Sequence, residues 1–176
     1  EAAKIAQVAV ERAEGRTQMT SLPSELQGDL LTTWSGLPLE AKRRWASVAI
    51  RSGNEAVGEL AQRALAGTDA VLSQTVAGAL TLPAHGDDPI FENALRAGLE
   101  NRDPATRAAT AGAIVVRGAK ALLPELEQLF LEGEDRVMTG ALRAMIREGG
   151  ADWSRLVAAG LSSETALVRE LAVDAA

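Results

Sequence analysis

The sequence predicts an all-α fold, specifically an α-solenoid of about five stacked helix pairs, and three observations predict it. The first is self-similarity. Segments starting at Leu39, Asp69, Asp103, Asp135 and Thr165 share one pattern, with successive starts 30, 34, 32 and 30 residues apart. Near the end of each stand Ala49, Ala79, Ala113, Met145 and Ala175, followed at once by Ile50, Leu80, Ile114, Ile146 and Ala176. One such unit cannot bury its apolar surface alone and is stabilised by stacking on its neighbours. The second observation is composition: 47% of residues are hydrophobic, only 3% are aromatic and tyrosine is absent. The core is therefore built from Ala, Leu, Val and Ile on closely spaced helices. The third is that strong helix formers fill every stretch between Gly and Pro punctuation, and no alternating strand pattern of useful length occurs.

Gly, Asn, Asp and Pro divide the chain into about eleven helices. The first runs from Ala2 to Glu14 and stops at Gly15, and residues 15–22 form a polar loop. Pro23 opens a helix that ends near Trp34, ahead of Ser35-Gly36. Pro38 opens the next, which stops at Gly53, and Asn54 caps one that ends before Gly67. Thr68 or Asp69 starts a helix ended by Pro83. Asp88-Pro89 and Asp103-Pro104 open the two that follow. An Asp that accepts backbone N–H bonds, with Pro at the first helical position, is a strong start signal. Gly118 and Gly133 bracket a helix with Pro124 near its start. Asp135 to Glu148 follows, closed by Gly149-Gly150. Asp152 caps a short helix carrying Trp153, and a last one begins near Glu164.

These helices pair. Residues 1–37 form an irregular N-terminal helical repeat or cap, and the repeats run approximately 38–68, 69–102, 103–134 and 135–163, with a partial unit over 164–176. First members carry the recurrent Ala, whose small side chain lets a neighbour approach. Second members carry their own apolar stripes: Leu60, Ala61, Ala64 and Leu65; Phe91, Ala94, Leu95 and Leu99; Leu122, Leu126, Leu129 and Phe130; Leu156 and Val157. Spacings of three and four place each set on one helix face.

The segment Asp103-Pro-Ala-Thr-Arg107, the stretch Gly118-Ala-Lys-Ala-Leu-Leu-Pro124-Glu-Leu, and weaker copies at Asp135 and Thr165 resemble the HEAT-repeat family, in its short bacterial form. In that family the first helix opens with an Asp near the turn and an Arg four residues on. Asp103 and Arg107 occupy those positions, as do Thr165 and Arg169 in the last copy. The Asp69 copy has Ser73 at the Arg position, the Asp135 copy has Thr139, and the Leu39 copy has Arg43 without the Asp. The resemblance covers roughly residues 38–176 and implies architecture far more than activity. It also implies that the second helices line an inner, concave surface. Armadillo units are longer with three helices, and the tetratricopeptide aromatic pattern is missing.

Net charge is −6, from 18 basic and 24 acidic residues. Nucleic-acid affinity comes mainly from cations neutralising phosphates, so an acidic chain is poorly suited to it. Cysteine is absent, which removes disulfides, thiolate nucleophiles and Cys-ligated metal or haem. No apolar run approaches the ~20 residues that span a bilayer, and no signal-peptide pattern occurs. A soluble protein, cytoplasmic or periplasmic, is expected. The chain begins at Glu1 and its last helical pattern reaches Ala176 without a stop signal, which leads us to expect a piece of a longer protein or a processed form.

Few residue clusters suggest chemistry. His85, the one histidine, stands with Asp87 and Asp88 between two helices. One imidazole and two adjacent carboxylates fall short of three or four convergent ligands, so a loop whose Asp88 caps a helix is the favoured reading. Lys42-Arg43-Arg44-Trp45 is the densest basic cluster, and a helix with Trp45 inward and its cations solvated is favoured over a phosphate grip. Trp153 aligns with Leu156 and Val157 in the core, while Trp34, beside Ser35-Gly36, is the tryptophan best placed for exposure, though burial is favoured there too. No Gly-rich phosphate loop, nucleophile motif or metal-spaced His pair is present.

Charge differs between the two helix sets. The first helices carry 10 basic and 7 acidic residues, the second 5 and 9. A mildly acidic inner face around Glu55, Glu59, Glu92, Glu125 and Glu132 suits a basic protein or peptide. Glu59 with Arg63 and Glu92 with Arg96, four apart, equally suit an exposed helix with no partner. The expected function is a non-enzymatic scaffold that binds a protein, a peptide or another domain of its own chain. Glu55, Glu59, Arg63, Glu92, Arg96, Glu125, Gln128, Glu132 and Arg155 are the candidate contact residues. No cofactor, metal, nucleic acid or membrane is expected. The alternatives are a HEAT-like enzyme or nucleic-acid-acting protein, of the bilin-lyase or DNA-glycosylase kind, and the helical repeat region of a larger secreted dehydrogenase, which the Trp34–Leu65 stretch faintly resembles.

Overall fold

A computed structural model describes residues 30–51, 56–81, 91–148 and 153–176. These residues are helical with no strand among them. The helices are α1 (Leu30–Gly36), α2 (Leu39–Ile50), α3 (Val57–Leu65), α4 (Ala70–Leu80), α5 (Glu92–Leu99), α6 (Pro104–Val116), α7 (Leu123–Leu131), α8 (Asp135–Glu148), α9 (Ser154–Leu161) and α10 (Ala166–Asp174). Asp69 and Asp103 act as the expected caps, accepting the backbone N–H groups of Leu72 and Thr106. Gly118 and Gly133 close α6 and α7 with φ of 64° and 77°, a left-handed conformation that other residues adopt only with strain.

Helices two apart in sequence lie side by side. α2 packs on α4, α4 on α6, α6 on α8 and α8 on α10, while α3 packs on α5 and α7 on α9. Cross-layer contacts such as α5 with α6 and α9 with α10 join the two sets. Between them runs one continuous core, with Trp45, Leu60, Leu80, Leu95, Ile114 and Leu142 fully buried. Each such side chain contributes about 1.5–3 kcal/mol over its exposed state. The apolar stripes expected of the second helices are buried, except that Leu129 is half-buried.

The closest approach joins α6 to α8. A Cβ added at Gly140 would lie 2.8 Å from the Ala108 carbonyl carbon, and one at Gly112 would lie 3.3 Å from the Gly140 carbonyl oxygen. Backbones meet there because both residues lack side chains.

Several details depart from the sequence pattern. α1 continues through Ser35-Gly36, its Ser35 hydroxyl donating to the Leu31 carbonyl. Trp34, the tryptophan best placed for exposure, is 6% exposed, in line with the burial favoured for it, and like Trp45 and Trp153 belongs to the core. The single helix expected between Gly118 and Gly133 is a 3₁₀ turn, Lys120–Leu122, followed by α7. Pro124 has no N–H to continue an α-helix from Lys120, so it opens a new one instead. Ile146 is 42% exposed where its counterparts Ile50, Leu80 and Ile114 are buried. Glu55, Asn54, His85, Asp87, Asp88 and Asp152 lie outside the described residues.

Candidate functional site

The first-helix layer uses its charge internally. The Arg43 guanidinium donates to both Asp69 carboxylate oxygens, at 3.1 and 2.6 Å, joining α2 to the cap of α4. Arg43 lowers the Asp69 carboxyl below its ordinary range, and the Leu72 N–H adds to that. Gln74 of α4 donates to Asp103 at 2.9 Å, and with Thr106 it holds that carboxyl down to about 2. Arg107 of α6 donates to both Glu134 oxygens, at 2.9 and 2.8 Å. The Thr165 hydroxyl donates to Asp135 at 2.6 Å. The Arg43, Gln74 and Thr165 contacts tie one unit to the next, and Arg107–Glu134 ties α6 to the turn ahead of α8.

The recurrent Arg has a second task. Arg107 donates to the Asn101 and Arg102 carbonyls, and Arg169 to those of Ser163 and Glu164, six and five residues back in both copies. Each closes the turn ahead of its own helix. In the basic cluster, Lys42 donates to the Ser35 carbonyl and Trp45 is buried, leaving Arg44 exposed.

On the second-helix layer, four of the candidate residues come together. Arg96, Glu125, Gln128 and Glu132 line a groove of about 350 Å³ between α5 and α7, with Leu99, Pro124 and Leu129 as its apolar surface and Glu100 on its edge. α5 and α7 are not closely packed along the groove, and the 3₁₀ turn at Lys120–Leu122 packs on α5. Arg96 bridges it, meeting Glu92 on its own helix at 3.0 Å and Glu125 on α7 at 3.2 Å. Its pKa is raised by both, Glu92 first. Gln128 donates to Glu132 at 2.7 Å.

The remaining candidates lie apart. Glu59 and Arg63 pair on the exposed face of α3, and Arg155 of α9 pairs with Glu127 of α7 at 2.8 Å. Four of the six described carboxylates on this layer therefore pair with arginines, and two of those arginines reach across helices. Sequence reading passed over Glu100, Glu127, Leu99, Pro124 and Leu129 as site residues. Glu100 was findable, since it directly precedes the Asn101-Arg102-Asp103 turn. The partnership of Glu127 was not, because its Arg lies 28 positions away.

A second cleft, about 710 Å³, opens between the turns at 66–68 and 100–104. Asn101 spans the turns: its amide donates to the carbonyls of Leu65 and Gly67, and its oxygen accepts the Asp103 N–H at 2.8 Å. Among the described residues no His, Cys, Asp and Glu cluster could hold a metal ion, and no helix is long and apolar enough to cross a membrane.

The fold and its groove define an all-α chain of ten packed helices among the described residues. Comparison with known proteins gave no matching family model, no similar curated protein and no similar solved structure.

Proposed function

We propose that this chain is a non-enzymatic α-solenoid module of HEAT-like type that binds a protein partner, or another domain of its own chain, along its second-helix face. The observation that carries the reading is the groove on the second-helix layer. Polar contacts join neighbouring helices in both layers, through Arg43–Asp69 and Gln74–Asp103 in the first and Arg96–Glu125 and Arg155–Glu127 in the second. The second-helix layer in addition leaves a groove with an apolar surface and a polar edge, the arrangement of a contact surface: apolar centre, polar rim.

Two charge-altered variants test it. One changes the exposed second-layer residues Glu59 and Gln128 to Arg; the other changes the exposed first-layer residues Arg44 and Arg143 to Glu. Partners captured by the intact chain are identified and titrated against both. The reading expects the second-layer variant to lose affinity and the first-layer variant to keep it. The reverse pattern would refute it.

A further inference from the structure

We propose that the α5–α7 groove captures an apolar side chain from a protein segment carrying Lys or Arg beside it, with Glu100 and Glu132 receiving the cations. The inference rests on the partner-binding reading above and assigns its site and ligand chemistry. It begins from a misfit between two carboxylates and the helices that bear them. Glu100 is the C-cap residue of α5, and Glu132 is that of α7. Unpaired carbonyls give a helix C-terminus partial negative charge, so a cation is favoured there and a carboxylate is disfavoured. Two first-layer helices follow that preference, with Arg51 capping α2 and Arg117 capping α6, while Thr81 and Ala175 cap α4 and α10 and α8 ends in Glu148. The two helices flanking the groove both place a carboxylate at the cap position, with Arg96 in the last turn of α5 engaged by Glu92 and Glu125.

Among the described residues nothing offsets this. Glu132 receives the neutral Gln128 amide, and Glu100 has no ion-pair partner among the described residues. Arg96, the one cation among the described residues that line the groove, is already held by Glu92 and Glu125. The uncompensated charge on this concave surface is thus wholly negative, and it borders Leu99, Pro124 and Leu129. Residues that oppose local stability and gather on one surface are where function has displaced folding preference. A cation set beside an aliphatic group matches both features at once.

The test uses the full chain and three short fluorescein-labelled peptides: one with a central Leu pair flanked by Arg, one with Glu replacing Arg, and one with Ser replacing Leu. Fluorescence anisotropy should show the Arg–Leu peptide binding, more weakly as salt rises, and the other two binding at least about tenfold less tightly. The double variant Glu100→Lys/Glu132→Lys should lose at least about tenfold in affinity while its Tm rises, because Lys suits both helix ends. Equal affinity of the double variant, or equal binding of the Glu peptide, overturns the proposal. So does a fall in Tm, which would show that the carboxylates serve the fold. If the parent binds none of these peptides, this ligand assignment fails, and the layer-variant titration still judges the broader reading independently.

Discussion

Replacing Gly140 with Ala adds one methyl group, and its position decides the sign of the effect. On an open helix surface, Gly→Ala stabilises by about 0.5–1 kcal/mol, since the unfolded chain loses conformational freedom. Gly78 of α4 is such a site, with nothing within 4 Å of an added Cβ. At Gly140 the same methyl would lie 2.8 Å from the Ala108 carbonyl carbon and 3.1 Å from its Cα. Those atoms are helix backbone and cannot rotate away, so α6 and α8 must separate. Overpacking of this kind costs about 1–3 kcal/mol, and the upper end applies because a helix rather than a side chain has to move. Subtracting the propensity gain of about 1 kcal/mol leaves Gly140→Ala destabilised by about 2 kcal/mol. For a chain of this size that is a Tm lower by about 4–8 °C, against a rise of about 1–4 °C for Gly78→Ala. Circular dichroism at the helix band, followed through thermal and urea unfolding of both variants, measures the pair. Shifts of the same sign in both variants would refute the close approach of α6 and α8.

Two further predictions concern the turns. Asn101→Ala removes the bonds to the Leu65 and Gly67 carbonyls and the Asp103 N–H, so it should cost about 2–3 kcal/mol in urea unfolding; a change under about 0.5 kcal/mol would contradict that role. Asp103 and Asp69 have lowered carboxyl pKa values in the folded chain, Asp103 at about 2. A carboxylate more acidic when folded adds stability that is complete above its unfolded pKa and lost as pH falls towards the folded one. Tm should therefore fall between about pH 4 and pH 2, and Asp103→Asn should flatten that fall; an unchanged slope in the variant would count against the Gln74 and Thr106 contacts.

The fold was legible wherever the signal was local. Asp69 and Asp103 cap their helices as their sequence positions indicate, and Gly118 and Gly133 end theirs in the conformation that glycine permits. The buried stripes of the second helices follow from spacing alone. What depended on distant partners was hidden. The carboxylates of the second helices could be counted, but the pairing of Glu125 with Arg96 and of Glu127 with Arg155 depends on how residues 29 and 28 positions apart align. The recurrent Ala marked a buried position correctly in Ala49, Ala79 and Ala113. The tightest contact nevertheless lies elsewhere, at Gly112 and Gly140, because backbone proximity is a property of two helices together.

The central claim is that the second helices advance in one direction, α3, α5, α7, α9, and so present one continuous face. Because the chain has no cysteine, paired spin labels can be placed on exposed positions without background: Gln62→Cys on α3 with Gln128→Cys on α7, and Gln62→Cys with Ser154→Cys on α9. Packed helices lie about 8–10 Å apart, so α3 to α5 and α7 to α9 each add about that step, while the groove between α5 and α7 widens the interval common to both distances. Double electron–electron resonance should give a clearly longer distance for Gln62–Ser154 than for Gln62–Gln128. A Gln62–Ser154 distance equal to or shorter than Gln62–Gln128 would contradict the stacked face on which the functional reading depends.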